Sequence, residues 1–185
     1  VQHADQILEA TFSPHSDTLV TASFDGTAVI WDRDGNRLHG LVGHTSGLRT
    51  VAYSTTGDRV ITGSYDCTAI LWDSRTGQLL HELHGHGGSV GATAFSADDG
   101  LILTGGLDLQ PRLWDEDGFM LDVFRGYTRG EHVLCTGFLP RKGGSLRVFT
   151  TVQHLAGVRI WDASPVDLPI LYGHRGPVRA STYSR

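Results

Sequence analysis

Short apolar runs recur along the whole chain, and clusters of Gly, Asp, Thr and Ser separate them. Residues 44–84 show the pattern most clearly. Gly47 to Tyr53 is a stretch rich in β-formers, and Thr56-Gly57-Asp58 has turn chemistry. Arg59 to Ser64 reads as a second strand, and Asp66 stands in a tight turn before a third, Thr68 to Trp72. Thr76-Gly77 then turns the chain into a fourth, Gln78 to Leu83. The third strand is nearly all apolar, as expected of a strand covered on both faces. The same order of four strands fits residues 3–42, where Asp34-Gly35 is a strong hairpin signal. It also fits 86–125 and, less closely, 127–172. Residues 175–185 supply one more first strand, Val178 to Tyr183.

Two markers run in phase with this pattern. Trp-Asp occurs at Trp31-Asp32, Trp72-Asp73, Trp114-Asp115 and Trp161-Asp162. Gly-His or a near variant occurs at Gly43-His44, Gly85-His86, Gly126-Tyr127 and Gly173-His174, with Gln2-His3 as a degenerate first copy. Two markers sharing one period establish an internal repeat. A repeat of about 40–45 residues bounded by these dipeptides is the signature of a four-stranded propeller blade. The expected fold is therefore all-β, with antiparallel blades at 3–42, 44–84, 86–125 and 127–172 and a further inner strand in 175–185. The fourth repeat is longer, chiefly at Pro140-Arg141-Lys142-Gly143-Gly144-Ser145, which reads as an extended surface hairpin.

A polar set recurs with the same period: His3, Thr21, Asp25 and Trp31; His44, Thr62, Asp66 and Trp72; His86, Thr104, Asp108 and Trp114. Imidazole, hydroxyl and carboxylate together resemble the parts of a nucleophilic triad. An active site has no reason to recur three times at fixed spacing, each copy tied to an indole in the sheet interior. The physical alternative is a buried hydrogen-bond network in which the carboxylate accepts from the imidazole, the imidazole meets the hydroxyl, and the hydroxyl accepts from the indole N–H. Ser23 and Ser64 are rival hydroxyls, but Gly106 stands at their place in the third repeat, which favours the threonines. In the fourth repeat Tyr127 and Leu155 replace the His and the Asp, while Thr151 and Trp161 remain.

With "TASFDGTAVIWD", "ITGSYDCTAILWD" and "GLDLQPRLWD" and the Gly-His dipeptides, the chain resembles the WD-repeat family of β-propellers over essentially all of its length. That resemblance implies four-stranded blades around a central channel and a non-enzymatic scaffold that holds a protein or peptide. It also implies a docking face formed by the loops before each innermost strand and the turns between strands two and three. On this chain those positions include Phe24, Arg49, Tyr65, Leu107, His132, His154 and Arg179. Aromatic and Arg side chains of this kind make interface hot spots. Members of the family most often close with seven blades. Four blades and one strand would leave sheet faces and edges open, so completion by the rest of a larger propeller, or by subunits of a multiprotein complex, is expected.

Composition narrows the functional classes. The 185 residues include 24 Gly and 6 Pro, with 39% apolar residues and a net charge of −5, which suits a turn-rich β protein with a sizeable core. There is no broad basic face, so nucleic acid is a poor candidate partner. No apolar run approaches the roughly 20 residues that span a bilayer, and no signal peptide is evident. The two cysteines, Cys67 and Cys135, form no spaced cluster, which points to an intracellular, cytoplasmic setting and to no thiolate metal site. In "HELHGH", His81 and His84 point to opposite faces of a strand and His86 belongs to the polar set, so converging zinc ligands are not expected. No cofactor is implied, since the Gly-Gly pairs lack the Lys-Ser/Thr of a phosphate-binding loop. Two other classes remain open: a sensor or regulatory region of a larger signalling ATPase or enzyme, and a structural subunit of a large assembly.

Overall fold

The computed structural model describes residues 3–126, 132–142, 145–152 and 158–163. Among the described residues fifteen strands make up four antiparallel sheets, and there is no helix. The first sheet holds β1 (Ile7–Phe12), β2 (Leu19–Ser23), β3 (Thr27–Trp31) and β4 (Arg37–Val42). The second holds β5 (Leu48–Tyr53), β6 (Arg59–Ser64), β7 (Ala69–Asp73) and β8 (Leu79–Leu83). The third holds β9 (Val90–Phe95), β10 (Leu101–Gly106), β11 (Arg112–Asp115) and β12 (Met120–Val123). In each of these three sheets spatial order follows chain order, so every blade is a meander. The fourth sheet shows β13 (Val133–Lys142), β14 (Ser145–Val152) and β15 (Val158–Asp162). Its expected outer strand, and the extra strand of 175–185, lie outside the described residues. The Pro140–Ser145 insertion lengthens the β13–β14 hairpin, whose pairing runs out to Lys142 opposite Ser145.

Alternation along the strands explains how the sheets stack. Val60, Ile70 and Trp72 turn back onto Val20, Ala22, Ala28, Ile30 and Leu41 of the first sheet. Their chain neighbours Ile61, Ala69 and Leu71 turn forward onto Val90, Ile102 and Trp114 of the third. Leu103, Leu113 and Phe124 then meet Leu146, Val148 and Ala163 of the fourth. A central strand is thus apolar at consecutive positions because both of its faces are covered.

The first sheet departs from this at one face. Phe12 occupies the place that Tyr53 and Phe95 hold in the next two repeats. Those two rings pack between sheets, whereas Phe12 is 75% exposed. Trp72 and Trp114 are each 2% exposed, whereas Trp31 is only half-buried. A recess lined by Phe12, Leu19, Thr21 and Trp31 lies on this open face.

The sheets are also tied at the end opposite the Gly-His loops. Asp99, at φ 55°, caps the turn of the second sheet, accepting from the amides of Thr55 at 2.7 Å and Thr56 at 2.8 Å and from the Thr56 hydroxyl at 2.8 Å. Asp is among the few residues that visit the left-handed region readily, and here its side chain gains three donors by doing so.

Candidate interaction face

In the first three sheets the loop carrying the repeat's His leads into the innermost strand, and the tight turn between the second and third strands lies beside it. Ser23 Oγ and Ser64 Oγ hold the two together by donating to the Asp5, Ser46 and Gly47 carbonyls. The turn demands a left-handed residue: Gly26 has φ 84°, and Cys67 and Leu109 take its place at φ 70° and φ 64°. This turn aims the following carboxylate network inward and the preceding side chain outward.

The inward side is a chain of hydrogen bonds. In the first sheet His3 Nδ1 lies 3.0 Å from Asp25 Oδ2 and Nε2 lies 2.8 Å from Thr21 Oγ1, which accepts from Trp31 Nε1–H at 2.8 Å. In the second the corresponding distances are 2.8 Å for His44–Asp66, 2.9 Å for His44–Thr62 and 2.9 Å for Trp72–Thr62. In the third they are 3.0 Å for His86–Asp108, 2.7 Å for His86–Thr104 and 2.8 Å for Trp114–Thr104. The threonines are therefore the hydroxyls at the centre. In the fourth sheet Trp161 donates to Thr150 at 2.9 Å, one position before the Thr151 that repeat spacing selects. Thr150 and Trp161 stand 11 residues apart, where the Thr–Trp pairs of the first three repeats stand 10 apart. Tyr127 and Leu155 lie outside the described residues.

Each carboxylate has further donors that pattern reading missed. Asp25 accepts from the Thr27 hydroxyl at 2.6 Å and the Ala4 amide at 2.8 Å, and Asp66 from the Thr68 hydroxyl at 2.6 Å and the Thr45 amide at 2.9 Å. Burial works to raise these carboxyls, but the donors outweigh it and hold Asp25 and Asp66 at about 2. The third repeat has Gln110 where the threonine would be. Arg112, standing where the first two repeats have Val29 and Ile70, turns inward instead. Its guanidinium donates to Asp108 at 2.5 Å, to the Gln110 carbonyl at 2.9 Å and to the Gly85 carbonyl at 2.8 Å. Asp108 is lowered despite its burial, helped by His86, the Gly87 amide and Arg112. Burial pushes His44 and His86 below the ordinary imidazole value, and the Arg112 charge adds to this at His86. The sequence signal for Arg112 was present: a basic residue inside an otherwise apolar third strand, two positions before the Trp.

The outward side is a row of exposed side chains. Phe24 is 48%, Tyr65 42% and Leu107 38% exposed. Phe24 and Tyr65 meet edge to face with centroids 5.5 Å apart, and the Arg49 guanidinium lies 5.1 Å from the Tyr65 ring centre. Arg49 Nη1 donates to Ser89 Oγ at 3.0 Å, which carries the row onto the third sheet. Two glycines make room for it. A Cβ on Gly47 would stand 3.0 Å from Phe24 Cδ2 and 2.9 Å from its carbonyl oxygen, and one on Gly91 would stand 3.2 Å from Arg49 Cζ. Leu107 reaches the same edge, its amide donating to the Ser89 carbonyl at 3.0 Å. His132 is half-buried just before β13. His154 and Arg179 lie outside the described residues. His81 and His84 do not converge with His86: His84 pairs with Glu82 at 3.0 Å, while His86 is held in its network.

The model of the "WD domain, G-beta repeat" matches residues 1–32, 35–73 and 77–115, more than half of the chain. The chain belongs to the WD40 repeat family. No curated protein matches it by sequence. Among solved structures it is similar to the one titled "Structure of U3-55K", with a TM-score of 0.78 and 20% identity over 88% of this chain. The WD40 chain spans 50% of that structure's length. At this identity the likeness concerns the fold: an all-β assembly of propeller blades.

Proposed function

We propose that this chain is a non-catalytic scaffold that holds a protein or peptide partner on the face carrying Phe24, Arg49, Tyr65 and Leu107. The observation that carries the reading is the division of labour within the turns of the first three repeats. Imidazole, hydroxyl and carboxylate saturate one another beneath the surface, and large side chains stand in a connected row above them. A nucleophilic role for the threonines is disfavoured by geometry, since each hydroxyl accepts an indole N–H, and Thr62 and Thr104 are fully buried. The membership in a family of interaction modules supports the same reading. Nucleic acid is the less favoured partner because the net charge is −5. An intracellular setting is in keeping with the two unpaired cysteines.

A photo-crosslinking residue placed at Phe24, and a control at Asp34 at the outer end of the first sheet, test the face. Protein adducts that form from position 24 and not from position 34 are expected. Adducts at position 34 alone, or equal adducts at both, overturn it.

The open face of the first sheet supports one addition. Phe12 and Trp31 are apolar groups of the size that the other blades bury against a neighbour. A role inside a larger propeller or multiprotein assembly, either as the regulatory region of a signalling enzyme or as a structural subunit, would cover them.

A further inference from the structure

Arg49 is the charged, half-buried member of this row, and its surroundings define what it can bind. Its guanidinium is held in place on two sides, by the Tyr65 ring 5.1 Å away and by Ser89 Oγ at 3.0 Å. Among the described residues Arg33, Arg59 and Arg112 each pair with a carboxylate, whereas Arg49 stands in no ion pair. The carboxylates beneath the same face, Asp25, Asp66 and Asp108, are already engaged by their own networks. A guanidinium has five N–H donors in a planar fork, and the one hydrogen bond to Ser89 leaves the rest of that fork for a ligand. Phe24 and Leu107 flank it as exposed apolar surface. The pre-set cation and the apolar groups beside it are complementary to one kind of segment.

We propose that the face recognises an extended peptide in which an Asp or Glu side chain stands beside a large apolar one. Arg49 reads the carboxylate, and Phe24, Tyr65 and Leu107 cover the apolar side chain. This rests on the docking face proposed above and specifies its chemistry. A carboxylate is favoured over a phosphate because one guanidinium matches a single negative charge, and a chain of net charge −5 repels a dianion more strongly. Tyr65 and Ser89 have already ordered the Arg49 side chain, so binding loses less of its conformational freedom.

Random heptapeptides displayed on phage are selected against the full chain, and the enriched sequences are re-made as soluble peptides for affinity measurement. Enriched peptides are expected to carry Asp or Glu next to Leu, Ile or Phe. Replacing that Glu by Gln in the peptide should weaken binding about ten-fold or more. Arg49→Gln should weaken the acidic peptide to the same level and leave the Gln peptide unchanged, a coupling that a general loss of fold would not produce. Enriched peptides without a carboxylate, or an Arg49→Gln chain that binds as before while Phe24→Ala and Tyr65→Ala abolish binding, would leave the face standing and overturn its acidic specificity. A phosphoserine peptide that binds more tightly than its Glu counterpart overturns the choice of carboxylate. Absence of enrichment, or binding indifferent to Phe24→Ala and Tyr65→Ala, overturns both the face and the specificity built on it.

Discussion

Tyr65 and Asp66 are adjacent in the chain, but the tight turn between β6 and β7 sends their side chains to different regions. The ring stands on the surface, 42% exposed, touching Phe24 and Arg49. The carboxylate turns inward to His44, Thr68 and two backbone amides, and its pKa falls to about 2. The same division holds at Phe24-Asp25 and Leu107-Asp108. A single left-handed residue after the Asp produces both outcomes: a saturated interior and an uncommitted surface. The third repeat shows which part of the interior is essential. The indole, hydroxyl, imidazole and carboxylate keep their spacing there, while the extra donor changes from Thr68 to Arg112. The skeleton fixes the loop, and the additional donor is interchangeable.

The largest effect belongs to the interior. Thr62→Val keeps the shape and removes the hydroxyl that links Trp72 Nε1–H to His44 Nε2. Two buried polar groups then lose partners, and urea denaturation should show a loss of about 3 kcal/mol. A loss under about 0.5 kcal/mol would show that the network does not fasten the sheet. Asp99→Ala, which strips the cap from the Thr55 and Thr56 amides at the other end, should cost about 1–2 kcal/mol by the same measurement.

The repeat and the residue types of its network were legible because covalent spacing fixes them: Trp-Asp and Gly-His recur in phase, and turn chemistry lies between. The donors from Thr27 and Thr68 were legible in principle as a hydroxyl two residues after the Asp, absent where Gln110 stands. What could not be read was anything depending on how one sheet sits against the next. Asp99 caps a turn more than forty residues away, and the stacking of Arg49 on Tyr65 needs the space left by Gly91. The choice of Thr150 over Thr151 depended on a loop whose length differs from the other repeats. The family resemblance implied that Phe24, Tyr65 and Arg49 share one face, and only the structure shows Tyr65 touching both of the others.

Acid should act on the interior and spare the surface. His44 and His86 have folded pKa values below their unfolded ones, so the unfolded chain binds their protons more readily. Stability is full above the unfolded value near 6.5 and declines as pH falls below it, by at most about 1.4 kcal/mol per pH unit for each imidazole. Asp25 and Asp66 are lowered, so their contribution is present above the unfolded value near 3.9 and is lost as pH falls toward about 2. Thermal melts from pH 7.5 to 2.5 should therefore fall in two stages. A melting temperature flat between pH 7 and 5 would contradict the buried neutral imidazoles.

The smallest effect concerns the turn. Cys67 holds a left-handed conformation that Gly26 holds in the first repeat, and Cys67→Gly should stabilise by up to about 1 kcal/mol. Its midpoint in urea should rise without a change in slope.

The most direct test sets the two neighbours against each other. Stability in urea and affinity for a selected peptide are measured side by side for Asp66→Asn and Tyr65→Ala. Asp66→Asn should lower stability by about 2 kcal/mol and, at a temperature where it remains folded, keep its affinity. Tyr65→Ala should change stability by less than about 1 kcal/mol and lose binding by ten-fold or more. The reverse pattern, with Asp66→Asn stable but unable to bind and Tyr65→Ala unfolded, would contradict the account.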